Sequence, residues 1–348
     1  MPASATQHPA SLEPAPSEGT APARLAASRR RWLARYVRRR LLILAPLAFV
    51  VTAAAFGLTH MAPGGPIAAL LEDKPTSPEM IEAIKERYHL NDPLLVQYWD
   101  WLKGVAHGNL GRSILTNDKV LNEIAARLDV TLTLNLAGIL FAIVVGVPLG
   151  IVAALRRGLA VDRVLVGVSV FFMSTPAFAL GLILLYLLGF KAGLFPLFGP
   201  GDWLLSRAHH LALPAITLGL HGMGFVMRLT RASMLEQFEQ DYIAFARARG
   251  LGGFRITIVY ALRNALIPIT TAAGLLFIGL LTGSVLVETV FGLPGLGNLL
   301  VNAVVAGDFP VIQGLLLIIA AWIIAVNILV DVLYVLIDPR IGFERAMA

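Results

Sequence analysis

The chain has 348 residues, of which 57% are apolar and only 14% charged, with a mean hydropathy of +0.75. A soluble domain carries about 25% charged residues, so these proportions exclude soluble cores and describe a set of membrane spans. With no cysteine, disulfides, thiol catalysis and cysteine metal sites are excluded; the net charge of +6 lies beside apolar spans, where membrane orientation accounts for it without nucleic acid.

Residues Met1–Ser28 are rich in Ala, Pro, Ser, Thr and Glu and have little to bury, which predicts disorder. With Arg29–Arg40 (RRRWLARYVRRR) they form a basic tail over residues 1–40. The run after it is too long for a signal-peptide core, and no small-x-small cleavage site clearly follows, so it reads as an uncleaved anchor. About 20 apolar residues cross the hydrocarbon core. On that rule there are six spans: Leu41–His60, Val130–Leu155, Val164–Leu188, Leu211–Thr230, Leu266–Val287 and Val311–Ile337. Pro176 and Pro214 make the limits of the third and fourth the least defined.

Residues 61–129 form a long loop with helical character. Ser77-Pro78-Glu79 has the form of a helix start, with Ile81, Ile84 and Tyr88 on one face. Pro93–Val105 (PLLVQYWDWLKGV) predicts a second helix in the membrane interface or against the span ends. Two readings of this loop stand, simple packing and a surface that receives a soluble partner.

Lys and Arg number 8 in the N-terminal tail, 3 in Arg156–Arg163, 6 in Arg228–Arg263 and 2 in the tail 338–348. The segments expected on the opposite face hold 2 (Gly189–His210) and none (Thr289–Pro310). The 7 in the long loop do not decide, because long loops translocate regardless of charge. Both termini and the basic segment are therefore expected in the cytoplasm, which an even number of spans permits. The expectation is an all-α integral membrane protein: tail 1–40, first span 41–60, external loop 61–129, a five-helix core 130–337 enclosing a cytoplasmic loop 231–263, and a tail 338–348.

The chain has no G-x-x-x-x-G-K-[ST] phosphate loop. Gly292–Gly297 (GLPGLG) lacks dinucleotide spacing, and Ser174 lies in FMSTPAF rather than G-x-S-x-G. The pair His209-His210 has no acid at ligand spacing, so no metal site is expected. Ion-driven carriers need ionisable groups inside the spans, and few are present. Pathway candidates are Asn135, His221, Met223, Met227, Glu288 and Asn327. Each is open to a second reading as packing or interhelical glue, with Asn327 and Asp331 sharing one helix face.

Between the fourth and fifth spans, QDYIAFARARGLGGFRITIVYALRNALIP (Gln240–Pro268) is basic and helix-friendly. Gly250-Leu251-Gly252-Gly253 breaks it into two short helices joined at an angle. Ala244, Ala246 and Ala248 alternate with Phe245, Arg247 and Arg249, and small side chains permit close approach. The segment suits insertion into a groove of a partner protein; the alternative is an amphipathic helix on anionic lipid.

This segment resembles the coupling segment of importer-type ABC permeases, written E-A-A-x-x-x-G and followed by I-x-L-P. Gly250 stands at the glycine and Ala246 at the second alanine, while Ala244 replaces the acid and Phe245 the first alanine. Tyr260 and Arg263 replace the Ile and the Pro. The form ARARGL…YALRNALIP is similar to that of the dipeptide/oligopeptide branch. HMAPGGP (His60–Pro66), YHLNDPLLVQYWDWL (Tyr88–Leu102), GNLGRSI (Gly108–Ile114), STPAF (Ser174–Phe178), VETVFGLPGLGNLL (Val287–Leu300) and DFPVIQG…LVDVLYVLIDPRI (Asp308–Ile341) resemble its B-type subunit, and cover roughly residues 41–345. The branch includes importers of dipeptides, oligopeptides, nickel chelates and other small solutes.

The resemblance implies a type I importer permease in the bacterial inner membrane, forming half of a pathway with a second, C-type permease. Two ATP-binding subunits would dock on the cytoplasmic loops, the coupling loop of this chain being Asp241, Ala244, Phe245, Ala246, Arg247, Ala248, Arg249, Gly250 and Leu251. An extracytoplasmic substrate-binding protein would deliver the substrate. This chain would bind no cofactor; ATP and Mg²⁺ would belong to the partner ATPases. Alternatives in other classes are an ion-coupled secondary carrier and a membrane scaffold without transport.

Overall fold

The computed structural model describes residues 91–337 and, before them, residues 49–57 and positions 46, 79, 82, 85 and 86. The expected disordered tail, most of the first span, the Ile81, Ile84 and Tyr88 face, the tail 338–348 and the side chain of Asp331 lie outside the described residues. The described residues are helical, without a strand; one isolated bridge joins Arg112 to Lys119.

Residues 49–57 are helical, and α1 (Leu94–Ala106) packs its aromatic face on them. The Phe56 ring lies 5.4 Å from Tyr98 and 6.0 Å from Trp101 between centroids, and the Thr52 and Tyr98 hydroxyls are 2.8 Å apart. Leu94, Leu95 and Trp99 are exposed on α1, as an interfacial helix requires.

Helix α2 (Val120–Leu155) has 36 residues. At 1.5 Å per residue that is ~54 Å, well beyond a hydrocarbon core of ~30 Å. The expected span beginning at Val130 is its apolar part; the helix continues outward through Val120–Asp129, where charged residues return. Helix α5 (Leu204–Phe238) likewise overruns its apolar part at both ends. These two helices form the centre of the fold by close approach of small residues. A Cβ on Gly138 would meet Leu218, one on Gly146 would meet Val226 and the Met223 carbonyl, and one on Gly150 would meet Thr230 and the Met227 carbonyl. The partners advance in step along both chains, so α2 and α5 run parallel. Spacing of Gly146 and Gly150 one turn apart is the small-xxx-small device by which membrane helices pack without a hydrophobic driving force.

The expected span Val164–Leu188 is not one helix. It is α3 (Ala160–Ser174) and α4 (Ala177–Leu184, extended by a π-helical turn Leu185–Lys191), bent by 103°. The cause is local: Pro176 has no N–H to donate and pushes Thr175 out of the helical region, to φ −83°, ψ 125°. Pro214 and Pro148 lie inside their helices without such a break.

Helix α6 (Asp241–Ala248) is short. Helix α7 spans Gly253–Val290 through a π-helical stretch, Ile256–Leu262. Leu276 of α7 meets Gly222 of α5, and Gly283 meets Leu218, so these two helices run antiparallel. A short apolar helix α8 (Leu296–Ala306) follows, and α9 (Phe309–Ile337) closes the described chain. By length and composition four of these helices could cross a membrane, or five if α3 and α4 form one broken span.

The central core joins α2, α5 and α7 through Leu134, Leu213, Leu218, Val226, Leu280 and Phe291. Two smaller clusters stand at the ends, one around α8 and one under α6.

Candidate functional site at the basic elbow

The elbow follows α5 after only Glu239 and Gln240. Gln240 is extended (φ −76°, ψ 145°), and its carbonyl accepts the Ile243 N–H at 3.0 Å. Ile243 and Ala246 form the inner face of α6, both buried against Ala154, Met234, Ile256 and Ala261. Tyr242 ties the elbow to its neighbours: its hydroxyl donates to Gln237 Oε1 at 2.7 Å and accepts from Asn264 Nδ2 at 3.0 Å.

The end of α6 is a Schellman motif. The Gly250 N–H donates to the Arg247 carbonyl at 2.9 Å, and the Leu251 N–H to the Ala246 carbonyl at 3.2 Å. Gly250 has φ +74°, the left-handed region where glycine pays no Cβ penalty. Leu251 and Ala246 make the apolar contact that accompanies this motif. The glycine therefore stops the helix at a fixed place.

The structure corrects two expectations here. The second part of the elbow is no separate short helix, since it continues from Gly253 into α7. The small residues do not act alike either. Ala246 is 4% exposed and spends its side chain inside the chain, because a helix repeats every 3.6 residues, not every two. The outer surface consists of Asp241, Ala244, Phe245, Arg247, Ala248, Arg249 and Gly250, with Leu251 half-buried behind it. Phe245 is 70% exposed and Phe254, across the turn, 82% exposed. Two exposed phenylalanines among Arg247, Arg249 and Arg255 make a surface both apolar and basic.

Beneath the elbow lies a cleft of about 670 Å³, walled by Ala154, Arg157, Glu239, Arg247, Leu251 and Ile256. At its rim Arg157 Nη1 and Glu239 Oε1 are 2.8 Å apart, both exposed. Arg231 makes a two-point bond to Asp162, Nε to Oδ1 at 2.6 Å and Nη2 to Oδ2 at 2.8 Å. The Gly158 N–H donates to the same carboxylate at 2.9 Å. Sequence reading missed this pair, since its partners lie 69 positions apart. The one signal available was an acid and an arginine at the expected cytoplasmic ends of two spans.

The structure turns most of the pathway candidates inward. Asn135, Met223, Met227 and Glu288 are all buried within the chain, at 0, 3, 1 and 0% exposure, so a pathway on the surface of this subunit would not meet them. His221 and Asn327 are half-buried. Asn327 Nδ2 donates to the Ile323 carbonyl of its own helix at 2.8 Å, and His221 Nδ1 has no hydrogen-bond partner among the described residues.

Glu288 is bonded to the start of α8. Its carboxylate accepts the Thr131 hydroxyl at 2.7 Å and the N–H groups of Gly297 and Asn298 at 2.7 and 3.2 Å. Thr131 Oγ1 in turn accepts the Leu296 N–H at 2.8 Å. Together they satisfy free donors at the N-terminus of α8, where the helix dipole favours a negative charge. The glycines of GLPGLG make room for it: a Cβ on Gly295 would collide with the Glu288 carboxylate, and one on Gly297 would stand 2.9 Å from Glu288 Oε2. A second anchor lies beyond α8, where Ser113 Oγ donates to Asp308 Oδ2 at 2.5 Å and the Ile114 N–H to Oδ1 at 3.2 Å. In the pair His209-His210, His209 Nε2 bonds the Leu194 carbonyl and His210 Nδ1 the Ser206 carbonyl, each at 2.8 Å.

Residues 146–343, more than half of the chain, match the family described as binding-protein-dependent transport system inner membrane component; residues 33–135 match the N-terminal part of such components. The chain belongs to this family. The permease is 38% identical over 333 residues to the di/tripeptide transport system permease protein DppB of Pseudomonas aeruginosa (strain UCBPP-PA14). It is 36% identical over 336 residues to the dipeptide transport system permease protein DppB of Escherichia coli (strain K12). It is 38% identical over 309 residues to the glutathione transport system permease protein GsiC of the same strain. Each match covers 89% of the permease and 99% of the relative. Among solved structures, a chain of the inward-facing MetNI methionine ABC transporter (CY5 native crystal form) matches with a TM-score of 0.53 and 20% identity. That match covers 63% of the permease and 97% of the other chain, and at such identity it concerns the fold alone. The permease thus has the fold of a type I ABC importer permease and is a multi-helix component of an inner-membrane transport system.

Proposed function

We propose that the permease forms half of the translocation pathway of an ATP-driven importer for di- and tripeptides. ATP and Mg²⁺ would belong to two partner ATPases, which would dock on the cytoplasmic loops of the permease pair, on this chain at the outer surface of the elbow. The observation that carries this reading is the division of the elbow: Ile243 and Ala246 fasten it to the spans, while Phe245, Arg247, Arg249 and Phe254 face outward. Such a helix delivers a push to the bundle, because its inner face is packed and not free to slide. A second permease subunit would pair with this one. In support, only 28 or 29% of the apolar parts of α2, α7 and α9 is buried within the chain, against 67% for α5. Faces of that extent suit both lipid and a partner bundle.

Six spans with both termini in the cytoplasm complete the proposed topology. The packing fits it, since parallel α2 and α5, with α7 antiparallel to both, are the directions that alternating spans would give. An extracytoplasmic binding protein would supply the peptide on the side of α1 and α8. The two surface-accessible candidates for the pathway are His221 and Asn327.

The peptide assignment rests on the two DppB relatives and on GsiC, whose names give di/tripeptide, dipeptide and glutathione transport. It is tested by uptake of a labelled dipeptide into cells lacking the permease, with and without the restored chain. The expected result is ATP-dependent uptake only with the restored chain, competed by unlabelled di- and tripeptides. Competition by a nickel chelate but not by peptides would overturn the substrate while leaving the importer. Uptake that follows an ion gradient without ATP would overturn both.

A further inference from the structure

We infer that Asp162 and Arg231 are positioning residues that form a coupling strut. They make α3 and the elbow-bearing half of α5 move as one body, and so deliver a displacement of the elbow to the bend at Thr175–Pro176. The inference rests on the elbow reading proposed above and adds the route by which its motion enters the bundle.

Helix α3 is attached at few places. Asp162 and Ser169 are its only buried residues, and both face α5. Val161, Val164, Val168, Val170 and Phe171 are exposed. At Asp162 the attachment is the two-point bond to Arg231, with side-chain exposures of 5% and 27%. A bidentate guanidinium–carboxylate bond fixes orientation as well as distance, which a single contact does not. About two turns further along each helix, Gly224 admits Ser169: a Cβ there would stand 2.5 Å from the Ser169 carbonyl oxygen and 2.8 Å from Met173 Cγ. Two fixed points on antiparallel helices define a rigid pair. Beyond the second point, at Thr175, α3 ends and the chain turns by 103°.

The load enters at the other end. Arg231 lies two turns before the end of α5, and only Glu239 and Gln240 separate that end from the elbow. Asp162 also receives the Gly158 N–H, so the turn between α2 and α3 is held by the same carboxylate. Arg163, the next residue on α3, is exposed and lies outside the cleft, which makes it the natural control.

The test uses the whole complex, permease with its ATPases and second subunit, in proteoliposomes with a labelled dipeptide. Two quantities are read together: dipeptide moved per ATP hydrolysed, and ATPase retained on the permease. Asp162→Asn and Arg231→Gln are expected to lower the first about tenfold and leave the second within about twofold, since neither touches the outer elbow surface. Arg163→Gln is expected to change neither. A wild-type ratio in both strut variants overturns the inference. So does loss of transport, hydrolysis and ATPase retention in parallel, which would make the pair an assembly contact.

Should the single variants fail to assemble, the cysteine-free chain offers a second route. Asp162→Cys with Arg231→Cys is compared in one sample before and after a short thiol-to-thiol cross-linker. Recovery of the ratio on cross-linking, with the link verified by mass, supports the strut; no recovery overturns it. If the wild-type complex binds no ATPase, the elbow reading itself has failed, whatever the strut variants do.

Discussion

At Gly150 there is no room for a side chain: a Cβ would stand 2.6 Å from Thr230 Cβ and 2.7 Å from the Met227 carbonyl oxygen. At Gly167, also in a helix, nothing lies within 4 Å. Alanine in place of either glycine gains about 1 kcal/mol of helix propensity, so the difference between the two variants isolates the clash. Gly150→Ala is expected to destabilise the α2–α5 contact by about 1–3 kcal/mol, and Gly167→Ala to be neutral or stabilising. Thermal unfolding of the purified permease in detergent checks this; equal shifts would mean that α2 and α5 do not meet there. Thr131 offers a second comparison. Thr131→Val removes a donor from Glu288 and leaves the Leu296 N–H without an acceptor, whereas Thr131→Ser keeps both bonds. A buried polar group left unpaired costs about 1–3 kcal/mol, so the valine variant should unfold at lower temperature than the serine variant. Equal stability would show that the Glu288 node does not hold α8.

Among the elements, the elbow gives the sharpest expectation. Gly250 has open space around it and only its backbone conformation to lose. Gly250→Arg should cost about 1–2 kcal/mol, leave the spans inserted, and place a charged side chain on the outer surface of the elbow. Retention of ATPases should fall sharply and transport should cease; normal retention with normal transport would contradict the elbow assignment. On the opposite side, deleting Ser77–Gly104 removes much of α1 and the chain before it. Binding-protein capture should suffer more than ATPase retention, and equal loss of both would point to misfolding.

The long helices were legible in the sequence because hydropathy reports on length and composition directly, as the lower limit Val130 shows by falling where Asp129 ends the apolar run. The elbow was legible because glycines interrupt a helical pattern. Three things were not. The 103° turn depends on how Thr175 responds to Pro176, while Pro148 and Pro214 leave their helices whole. The inward turn of Ala246, Asn135, Met223 and Glu288 depends on which face a neighbouring helix covers. The Asp162–Arg231 pair is a tertiary contact between distant positions, and no local pattern encodes it.

Taken whole, the permease is built around α5, which packs against α2 in parallel and α7 and α3 in antiparallel fashion. One end of that central helix carries the elbow; its middle, from Thr217 to Gly224, meets Gly181 and Met173 on either side of the bend at Pro176. In the proposed function such an arrangement would convey force generated by partner ATPases, and the chain itself has no G-x-x-x-x-G-K-[ST] phosphate loop. Its account therefore depends on partners, and the most direct measurement is purification of the tagged chain from native membranes in mild detergent, with bound proteins identified by mass. The account predicts a near-stoichiometric second permease and two ATP-binding subunits, or two copies of one. A folded chain that purifies alone, or only with itself, would contradict it.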